Sequence, residues 1–336
     1  MLYVINIFTT SKHCGVRFMT FLFIINPFAA NNTLSEKIRE NINSIEELKN
    51  KNILIFNSEY PGHETVLVNQ VMNILQDEDF FIFVCGGKGS FACILDANID
   101  FEKTKITMFP CGATNDNLKI FSRKAIPHFT NIPQLINGTT LHLDYIKTTA
   151  GNAFNTVSCG YSSKIIEIHK KFAFFSIFNP SLIWFIAGFF GIVSYKASNF
   201  QLTIDDNDYS GYYHKIICAN GNTQGGGVFL GKEIKADDGL LNFILIPKMN
   251  VFSLIKTVIG FYTHNPKLFN KKVVRFSGKK FSFSKVDKNK KMKVNFDGEL
   301  KNTSKIDGEI IPNKLPFVVP QEIAEKYKQK SGAENA

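Results

Sequence analysis

Residues 80–90 are FFIFVCGGKGS, an apolar run that ends at Gly86, Gly87, Lys88, Gly89 and Ser90. Continuous apolar runs of this length are typical of a strand that is buried on both faces. When such a strand ends in glycines, backbone N–H groups can approach phosphate oxygens closely. A tight turn without any ligand gives the same pattern, so the stretch alone predicts only a buried strand and a glycine turn.

Further strands and helices alternate on either side of this run. Apolar strands are predicted at 20–26, 52–57 and 105–109, with helical patterns at 33–50, 64–76 and 90–98 between them. Alternation of this kind predicts a parallel sheet built from βαβ units, in which ligands bind beyond the carboxyl ends of the strands. A second glycine turn, FPCGATNDN at 109–117, follows the last of these strands.

The pattern changes at about residue 140. Short runs with period-two alternation and Gly or Asn turns follow, among them NFQLTI (199–204), HKIICAN (214–220) and KFSFSKV (280–286). They predict an antiparallel, β-rich domain. The predicted fold class is therefore an N-terminal parallel-sheet α/β domain followed by a C-terminal antiparallel, sandwich-like β domain. The predicted boundaries are an N-terminal extension (1–18), the α/β domain (19–140), the β-rich domain (141–311) and a C-terminal segment (312–336) that returns to the first domain.

Six short blocks occur in a fixed order along the chain: NPFAA (26–30), SEYPGH (58–63), GGKGS (86–90), PCGATND (110–116), DDGLL (237–241) and DGE (297–299). In this order they resemble the lipid kinase family of diacylglycerol and sphingosine kinases, including its bacterial members. The resemblance extends from about residue 20 to about residue 322, which is nearly the whole chain. It implies a nucleotide-binding α/β domain and a lipid-substrate β domain.

The resemblance also implies roles for individual residues. The catalytic acid/base would be Glu299 or Asp297. The metal would be Mg²⁺, held by Asp238, Leu240 and the carbonyl of Lys235, with Asp116 and Asp144 linked to that site. A second DGE, Asp307-Gly308-Glu309, is interpreted as a turn outside the site. ATP would be contacted by residues that surround the two glycine turns: Asn26, Ser58, Gly86, Gly87, Lys88, Gly89, Ser90 and Ala113.

The chain departs from the family pattern at the donor phosphates. The Asp of the family's GGDGT is Lys88, its Thr is Ser90 and the Glu three residues later is Cys93, while the Thr of PxGTxND is Ala113. A lysine removes a metal-directed carboxylate but adds a cation that can bind phosphate directly. The leading hypothesis is an ATP-dependent lipid kinase that phosphorylates a hydroxyl of a membrane lipid such as diacylglycerol. The alternative is a catalytically impaired lipid- or nucleotide-binding protein on the same fold, and a third is a soluble dinucleotide kinase.

Composition and charge favour an anionic partner. Lysine and arginine exceed the acids by 39 − 29 = 10 in a chain of 336 residues, and lysines are dense in 271–293. This predicts contact with an anionic membrane surface, and the chain has no motif that predicts nucleic-acid binding. A solvated lysine-rich hairpin would give the same cluster. The expected location is the cytoplasm, peripherally on a membrane, and a homodimer is left open.

Residues 172–195 contain no charged side chain. A transmembrane helix, a core helix and an apolar helical surface are all compatible with this stretch. Because Asn179 and Pro180 interrupt it, we expect a helical surface or lid, and the family resemblance implies that it lies near the lipid-binding cleft. The six cysteines form no C-x-x-C pair, so free thiols in a reducing compartment are expected.

Overall fold

The computed structural model describes residues 3–5, 19–29, 33–49, 51–111, 115–172, 180–225, 228–287 and 291–333. The N-terminal elements are β1 Tyr3–Ile5, β2 Met19–Ile25, α1 Thr33–Ser44, β3 Asn52–Asn57, α2 His63–Ile74, β4 Asp79–Gly86, α3 Lys88–Leu95, β5 Thr104–Pro110, α4 Ile132–Ile136 and β6 Thr139–Thr148. Short 3₁₀ helices lie at Glu46–Leu48, Asp116–Ile120, Arg123–Thr130 and Pro266–Leu268.

The later elements complete the chain. They are β7 Thr156–Gly160, α5 Tyr161–Lys171, α6 Pro180–Ser194, β8 Ser198–Ile204, β9 Asn207–Asp208, β10 Gly211–Ala219, β11 Thr223–Gln224, β12 Val228–Phe229, β13 Leu241–Pro247, α7 Val251–Tyr262, β14 Val274–Gly278, β15 Lys280–Lys285, β16 Met292–Phe296, β17 Glu299–Thr303, β18 Lys305–Val319 and α8 Gln321–Ala333. The chain divides into two compact units, residues 1–143 with 313–336, and residues 144–312.

The first unit is built on a sheet with the strand order β1-β3-β2-β4-β5-β18. β2 pairs in parallel with β3 and β4, and β4 pairs in parallel with β5. The central strands are apolar on both faces: Phe23 and Phe83 are fully buried, and their rings stack at 4.5 Å between centroids. This is the continuous apolar pattern that a parallel sheet covered on both faces requires.

The strand order reverses at β2. The chain passes from β2 to β3 on one side and then returns to β4 on the other side of β2. In doubly wound sheets, ligands bind where the order reverses, at the carboxyl ends of the two strands. Here those ends are Asn26, which follows β2, and Gly86 at the end of β4.

The second unit is built on antiparallel pairs. β10 pairs with β8 through Gly211–Tyr213 and with β7 through Lys215–Ala219, and it pairs with β13 on its other edge. β7 continues to β16 and β17, β13 continues to β14, and β8 continues to β15. The predicted fold class, an α/β domain followed by an antiparallel β domain, is therefore confirmed.

Both faces of the β10–β13 pair are buried. Alternate residues such as Ile216 and Phe243 belong to one core cluster, while their neighbours Ile217 and Ile244 belong to a second cluster with residues of α6 and α7. Because side chains of a strand alternate between faces, the two clusters lie on opposite faces of the sheet. The helices α5 to α7 therefore cover one face of the second unit.

Two local expectations were wrong. Asp307, Gly308 and Glu309 are not turn residues: they pair with β15 inside β18, opposite Ser282, Phe281 and Lys280. Helix α3 begins at Lys88 and not near Ser90, so the glycine turn leads directly into its first turn. Both differences arise because glycine inside a short motif can continue a strand or open a helix as well as form a turn.

Part of the apolar stretch 172–195 is described. α6 spans Pro180–Ser194, which is 15 residues, while 173–179 lie outside the described residues. A helix that crosses a bilayer needs about 20 apolar residues. In the portion of the chain that the structure describes, no helix combines the length and apolar character that a crossing requires.

Candidate functional site

The glycine turn joins β4 to α3 in very little space. A Cβ atom on Gly86 would lie 2.5 Å from Ser90 Oγ and 2.7 Å from Ser90 Cβ, so only glycine fits at this position. The first hydrogen bond of α3 runs from Phe91 N to Gly87 O. The N–H groups of Lys88, Gly89 and Ser90 therefore belong to the open N-terminal turn of the helix, where the helix dipole favours an anion.

Asn26 connects this turn to two other elements. Its Nδ2 donates to Glu64 Oε1 of α2 and to Ser90 Oγ of α3, both at 2.9 Å. Its Oδ1 accepts from Phe28 N, which shapes the chain after β2. Glu64 is only 2% exposed. Sequence reasoning did not select this glutamate, and its position directly after the PGH block was the signal that could have found it.

Lys88 lies in a three-residue ion cluster. Its Nζ is 3.1 Å from Asp116 Oδ2, and Lys119 Nζ is 2.6 Å from Asp116 Oδ1. Burial opposes ionisation of Asp116, but the ammonium groups of Lys88 and Lys119 outweigh it and hold the pKa of the carboxyl below its ordinary value. Asp116 was expected to be linked to the predicted metal site, and its carboxylate forms ion pairs with these two lysines.

The remaining nucleotide candidates are Ser58 and Ala113. Ser58 follows β3, is 2% exposed, and donates its N–H to Ile25 O at 2.8 Å. Ala113 lies outside the described residues, as do Gly112 and Thr114. Of the predicted nucleotide contacts, Asn26, Gly86, Gly87, Lys88, Gly89 and Ser90 are thus brought together at the ends of β2 and β4.

The DGE block forms the two-residue turn of the β16–β17 hairpin. Asp297 and Gly298 both have positive φ, 48° and 106°, as a type I′ hairpin turn requires. Gly298 N donates to Asn295 Oδ1 at 2.6 Å. The backbone geometry of the turn therefore favours an Asp-Gly pair, in addition to any chemistry.

Asp297 and Glu299 have different surroundings. The Asp297 carboxylate is 3% exposed and accepts backbone N–H bonds from Phe154, Asn155 and Thr156 at 2.7, 2.9 and 2.7 Å. Glu299 opens β17 and is partly exposed. Within the described residues its side chain has no hydrogen-bond or ion-pair partner. Asp297 is thus fixed as an acceptor of backbone bonds, while Glu299 remains accessible to a proton donor.

A buried polar network surrounds the segment that Asp297 holds. Asn220 Nδ2 donates to the carbonyls of Asp144 and Phe154, and Gln224 Nε2 donates to Ser158 Oγ at 2.8 Å. Lys215, which is 6% exposed, donates to Gln224 Oε1 at 2.6 Å. Sequence reasoning did not select this network. The polar run NGNTQGGG (220–227), which directly follows an apolar strand, was the signal.

The loop before β13 carries the predicted metal ligands Lys235, Asp238 and Leu240. Asp144 Oδ2 accepts from Gly239 N at 2.7 Å, and Asp238 Oδ1 accepts from Leu240 N at 3.0 Å. Partial burial and the negative charges of Asp144 and Asp237 raise the pKa of Asp238 above its ordinary value. Among the described residues no three His, Cys, Asp or Glu side chains converge as a metal site. A cation here would therefore take most of its ligands from carbonyl groups and water.

A cleft of about 490 Å³ also lies in the second unit, between β6, β8, β15 and β18. Two of its charged lining residues already have partners: Asp205 accepts from the N–H groups of Lys279 and Lys280, and Asp307 pairs with Lys305 of the same strand. None of the predicted site residues lines it. We assign it no role.

The sequence matches two family models in succession. Residues 20–148 match the diacylglycerol kinase catalytic domain, and residues 155–319 match the YegS C-terminal NAD kinase beta sandwich-like domain. A protein of Staphylococcus aureus strain JH9, named provisionally as a lipid kinase, is 26% identical over 267 residues, which is 75% of this chain and 80% of that protein. A relative from strain N315 with the same kind of name matches to the same extent.

Solved structures show the same fold. A provisionally named diacylglycerol kinase from Bacillus anthracis str. Sterne superposes with a TM-score of 0.66 at 16% identity, over 91% of this chain and 98% of that one. A diacylglycerol kinase structure from the same strain gives a TM-score of 0.62 at 15% identity, over 92% of this chain and 100% of that one. At these identities the likeness establishes the fold.

Proposed function

Because the chain belongs to the diacylglycerol kinase-like family of lipid kinases, we propose that it transfers the γ-phosphate of ATP to a hydroxyl of a membrane lipid such as diacylglycerol. The observation that carries this proposal is the intact DGE hairpin. In this hairpin, backbone hydrogen bonds from residues 154–156 hold Asp297, and the Glu299 side chain has no hydrogen-bond or ion-pair partner among the described residues.

The donor would bind at the glycine turn of the first unit. Phosphoryl transfer requires a cradle for the donor phosphates and charge that offsets their own. The open N–H groups at the start of α3 supply the cradle, and Asn26, tied to Glu64 and Ser90, fixes the adjacent end of β2. The absence of a side chain at Gly86 allows Ser90 to pack closely against the turn.

Glu299 would accept the proton of the lipid hydroxyl. A general base must be accessible and ionised, and a carboxylate without a fixed partner meets the first condition. Asp297 would be a positioning residue, because both of its oxygens are already used by backbone N–H groups. Its role would be to hold the β16–β17 turn, and Glu299 with it, against the 154–156 segment.

Mg²⁺ would be held in the loop before β13 by the Asp238 carboxylate and the carbonyls of Lys235 and Leu240. The donor set fits, because oxygen ligands suit Mg²⁺ and the charges of Asp144 and Asp237 favour a cation beside Asp238. When bound, the ion would neutralise negative charge in this loop. Asp144, which accepts from Gly239 N, keeps the loop in shape for it.

The membrane contact would be the exposed apolar face of α6 and α7. Phe185 is 71% exposed on α6, and Phe252 is 82% exposed on α7. Lys256 is exposed on α7 one turn from Phe252. Exposed aromatic side chains beside lysines are typical of helices that lie in the interface of an anionic membrane. This would place the enzyme peripherally on the cytoplasmic face.

A catalytically impaired nucleotide- or lipid-binding protein is the second candidate. Lys88 and Cys93, which stand in place of an aspartate and a glutamate of the family pattern, favour it. The ion pair of Lys88 with Asp116 and the hydrogen bond of Asn26 to Glu64 favour an ordered, working turn instead, because both buried carboxylates have polar partners there.

Transfer of labelled phosphate from ATP to lipid tests the proposal. Purified protein with Mg²⁺ and vesicles of phosphatidylcholine, phosphatidylglycerol and diacylglycerol should form labelled phospholipid. The Glu299→Gln variant, which keeps the shape of the side chain but cannot take a proton, is the matched control. No product above that control with diacylglycerol or with other hydroxylated lipids would refute the kinase assignment.

A further inference from the structure

In the glycine turn, Lys88 carries an ammonium group where the family pattern places a carboxylate. Lys88 occupies the position of the aspartate and forms the 3.1 Å pair with Asp116, and Lys119 forms the 2.6 Å pair with the other oxygen of the same carboxylate. Two positive charges thus share one negative charge, and the cluster has a net charge of +1. Glu64, the other carboxylate at this turn, is hydrogen-bonded by Asn26.

A divalent cation does not fit this cluster. Both oxygens of Asp116 already accept from ammonium groups, and its side chain is 1% exposed. A metal ion at Asp116 would have to displace at least one lysine, and it would then lie beside the charge of the other. Like charges a few ångströms apart in a partly buried site repel strongly. The residues of this cluster therefore do not fit a divalent metal ion bound at Asp116.

A phosphate group fits the cluster better. The Lys88 side chain is 23% exposed while that of Lys119 is 10% exposed, so Lys88 is the more accessible of the two ammonium groups. It also starts α3, where the open N–H groups and the helix dipole attract an anion. In the free protein the ion pair with Asp116 holds the Lys88 ammonium in place, and a bound phosphate would share it.

We propose that Lys88 takes the place of a divalent cation at the donor phosphates, so that this chain binds its nucleotide without Mg²⁺. The inference rests on the proposed function, because it takes the donor to be a nucleoside phosphate. It is limited to binding at the glycine turn and does not concern the separate loop that carries Asp238.

Calorimetric titration with ADP, once in excess EDTA and once in excess Mg²⁺, tests the inference on the full chain. We expect the two dissociation constants of the wild-type protein to agree within about threefold. The Lys88→Asp variant, which restores the carboxylate, should bind at least about tenfold more weakly in EDTA and recover affinity when Mg²⁺ is added. Lys88→Met should lose affinity in EDTA without gaining a response to Mg²⁺.

Lys105→Asp is the matched control, since Lys105 is an exposed lysine on β5 of the same unit and undergoes the same charge reversal. Its two dissociation constants should equal those of the wild type. Wild-type binding that requires Mg²⁺ would overturn the inference and leave the kinase assignment intact. Absence of ADP binding in both conditions would overturn the inference and also remove the nucleotide from the proposed function. If Lys88→Asp fails to fold, the two wild-type titrations and those of Lys88→Met are sufficient to test whether ADP binding is independent of Mg²⁺ and depends on Lys88.

Discussion

Asp297 and Glu299 lie two residues apart, yet their surroundings suit them to different tasks. Asp297 is buried and accepts three backbone N–H bonds, whereas the Glu299 side chain is partly exposed and has no hydrogen-bond or ion-pair partner among the described residues. From the sequence the two carboxylates were equivalent candidates for the acid/base. The two roles are distinguished only by the packing of residues 154–156 against the hairpin. The sequence of the DGE motif does not reveal that contact.

Exchange of each carboxylate for its amide should separate the two roles. Glu299→Gln should lower the transfer rate by about 10²–10⁴-fold and leave the melting temperature unchanged, because only a proton acceptor is lost. Asp297→Asn should lower the free energy of unfolding by roughly 2–3 kcal/mol, since an amide loses charge-assisted bonds to buried N–H groups. Rates and urea unfolding of both variants test this. A stable Asp297→Asn protein with normal folding energy would contradict the anchoring role.

Asp116 should give the protein a pH-dependent term in its stability. Its pKa is lower in the folded chain than its ordinary value, so its contribution is present above that ordinary value, about 4, and is lost as pH falls through the folded pKa. The difference in unfolding free energy between wild type and Asp116→Asn should thus be largest near neutral pH and shrink below about pH 4. Urea unfolding over this range measures it. A difference that grows on acidification would contradict the ion cluster.

The helices α6 and α7 present apolar side chains to solvent although they also contribute to a core. Ile192, Leu254 and Phe261 are buried in the second cluster, while Phe185, Phe190 and Phe252 are exposed. Gly191 permits the close approach of α6 to α5, because a Cβ atom there would lie 2.5 Å from Ile165 Cγ1. The apolar stretch 172–195 was predicted from the sequence to form a helical surface, whereas α7 was not predicted although its sequence, VFSLIKTVIGFY, is also largely apolar.

Loss of this exposed face should weaken membrane binding. The Phe185→Ser/Phe252→Ser variant should sediment less with vesicles that contain phosphatidylglycerol, with a partition constant at least about tenfold lower. Ile74→Ser is the control, because Ile74 is 78% exposed on α2 of the first unit and is equally apolar. Equal sedimentation of the double variant and the control would exclude α6 and α7 as the contact.

The chain as a whole returns to its first unit after completing the second. Residues 313–336 belong to the first unit, where Phe317 is 1% exposed and packs against Phe91, Phe121 and Phe129. Thr107 Oγ1 donates to Val318 O at 2.8 Å, and Phe317 pairs with Ile106 of β5. The sheet of the first unit therefore depends on a strand that is about 200 residues away in sequence.

Truncation of Phe317 should show this dependence. Phe317→Ala should cost about 3–5 kcal/mol of folding free energy, because it empties a fully buried aromatic site. Phe28→Ala, at a position that is 71% exposed in the same unit, should cost far less. Chemical denaturation of both variants measures the difference. Equal losses would show that the C-terminal strand does not stabilise the first unit.

The sequence was sufficient for some features and insufficient for others, for physical reasons. Continuous apolar runs predicted the strands around the glycine turn, and the order of six motifs indicated the family. The pairing of Lys88 with Asp116, the hydrogen bond of Asn26 to Glu64 and the β18 pairing of Asp307 and Glu309 were not predicted. Each depends on contacts between residues far apart in sequence, which local pattern does not encode.

The rate of phosphate transfer to diacylglycerol should be compared between the wild type and the Lys88→Asp/Cys93→Glu variant, with Glu299→Gln as the background. If the glycine turn is a rebuilt and working donor site, the wild type is active above background and the double substitution lowers its rate. A wild type at background, together with a large gain in the double variant, would mean that Lys88 and Cys93 have disabled the kinase.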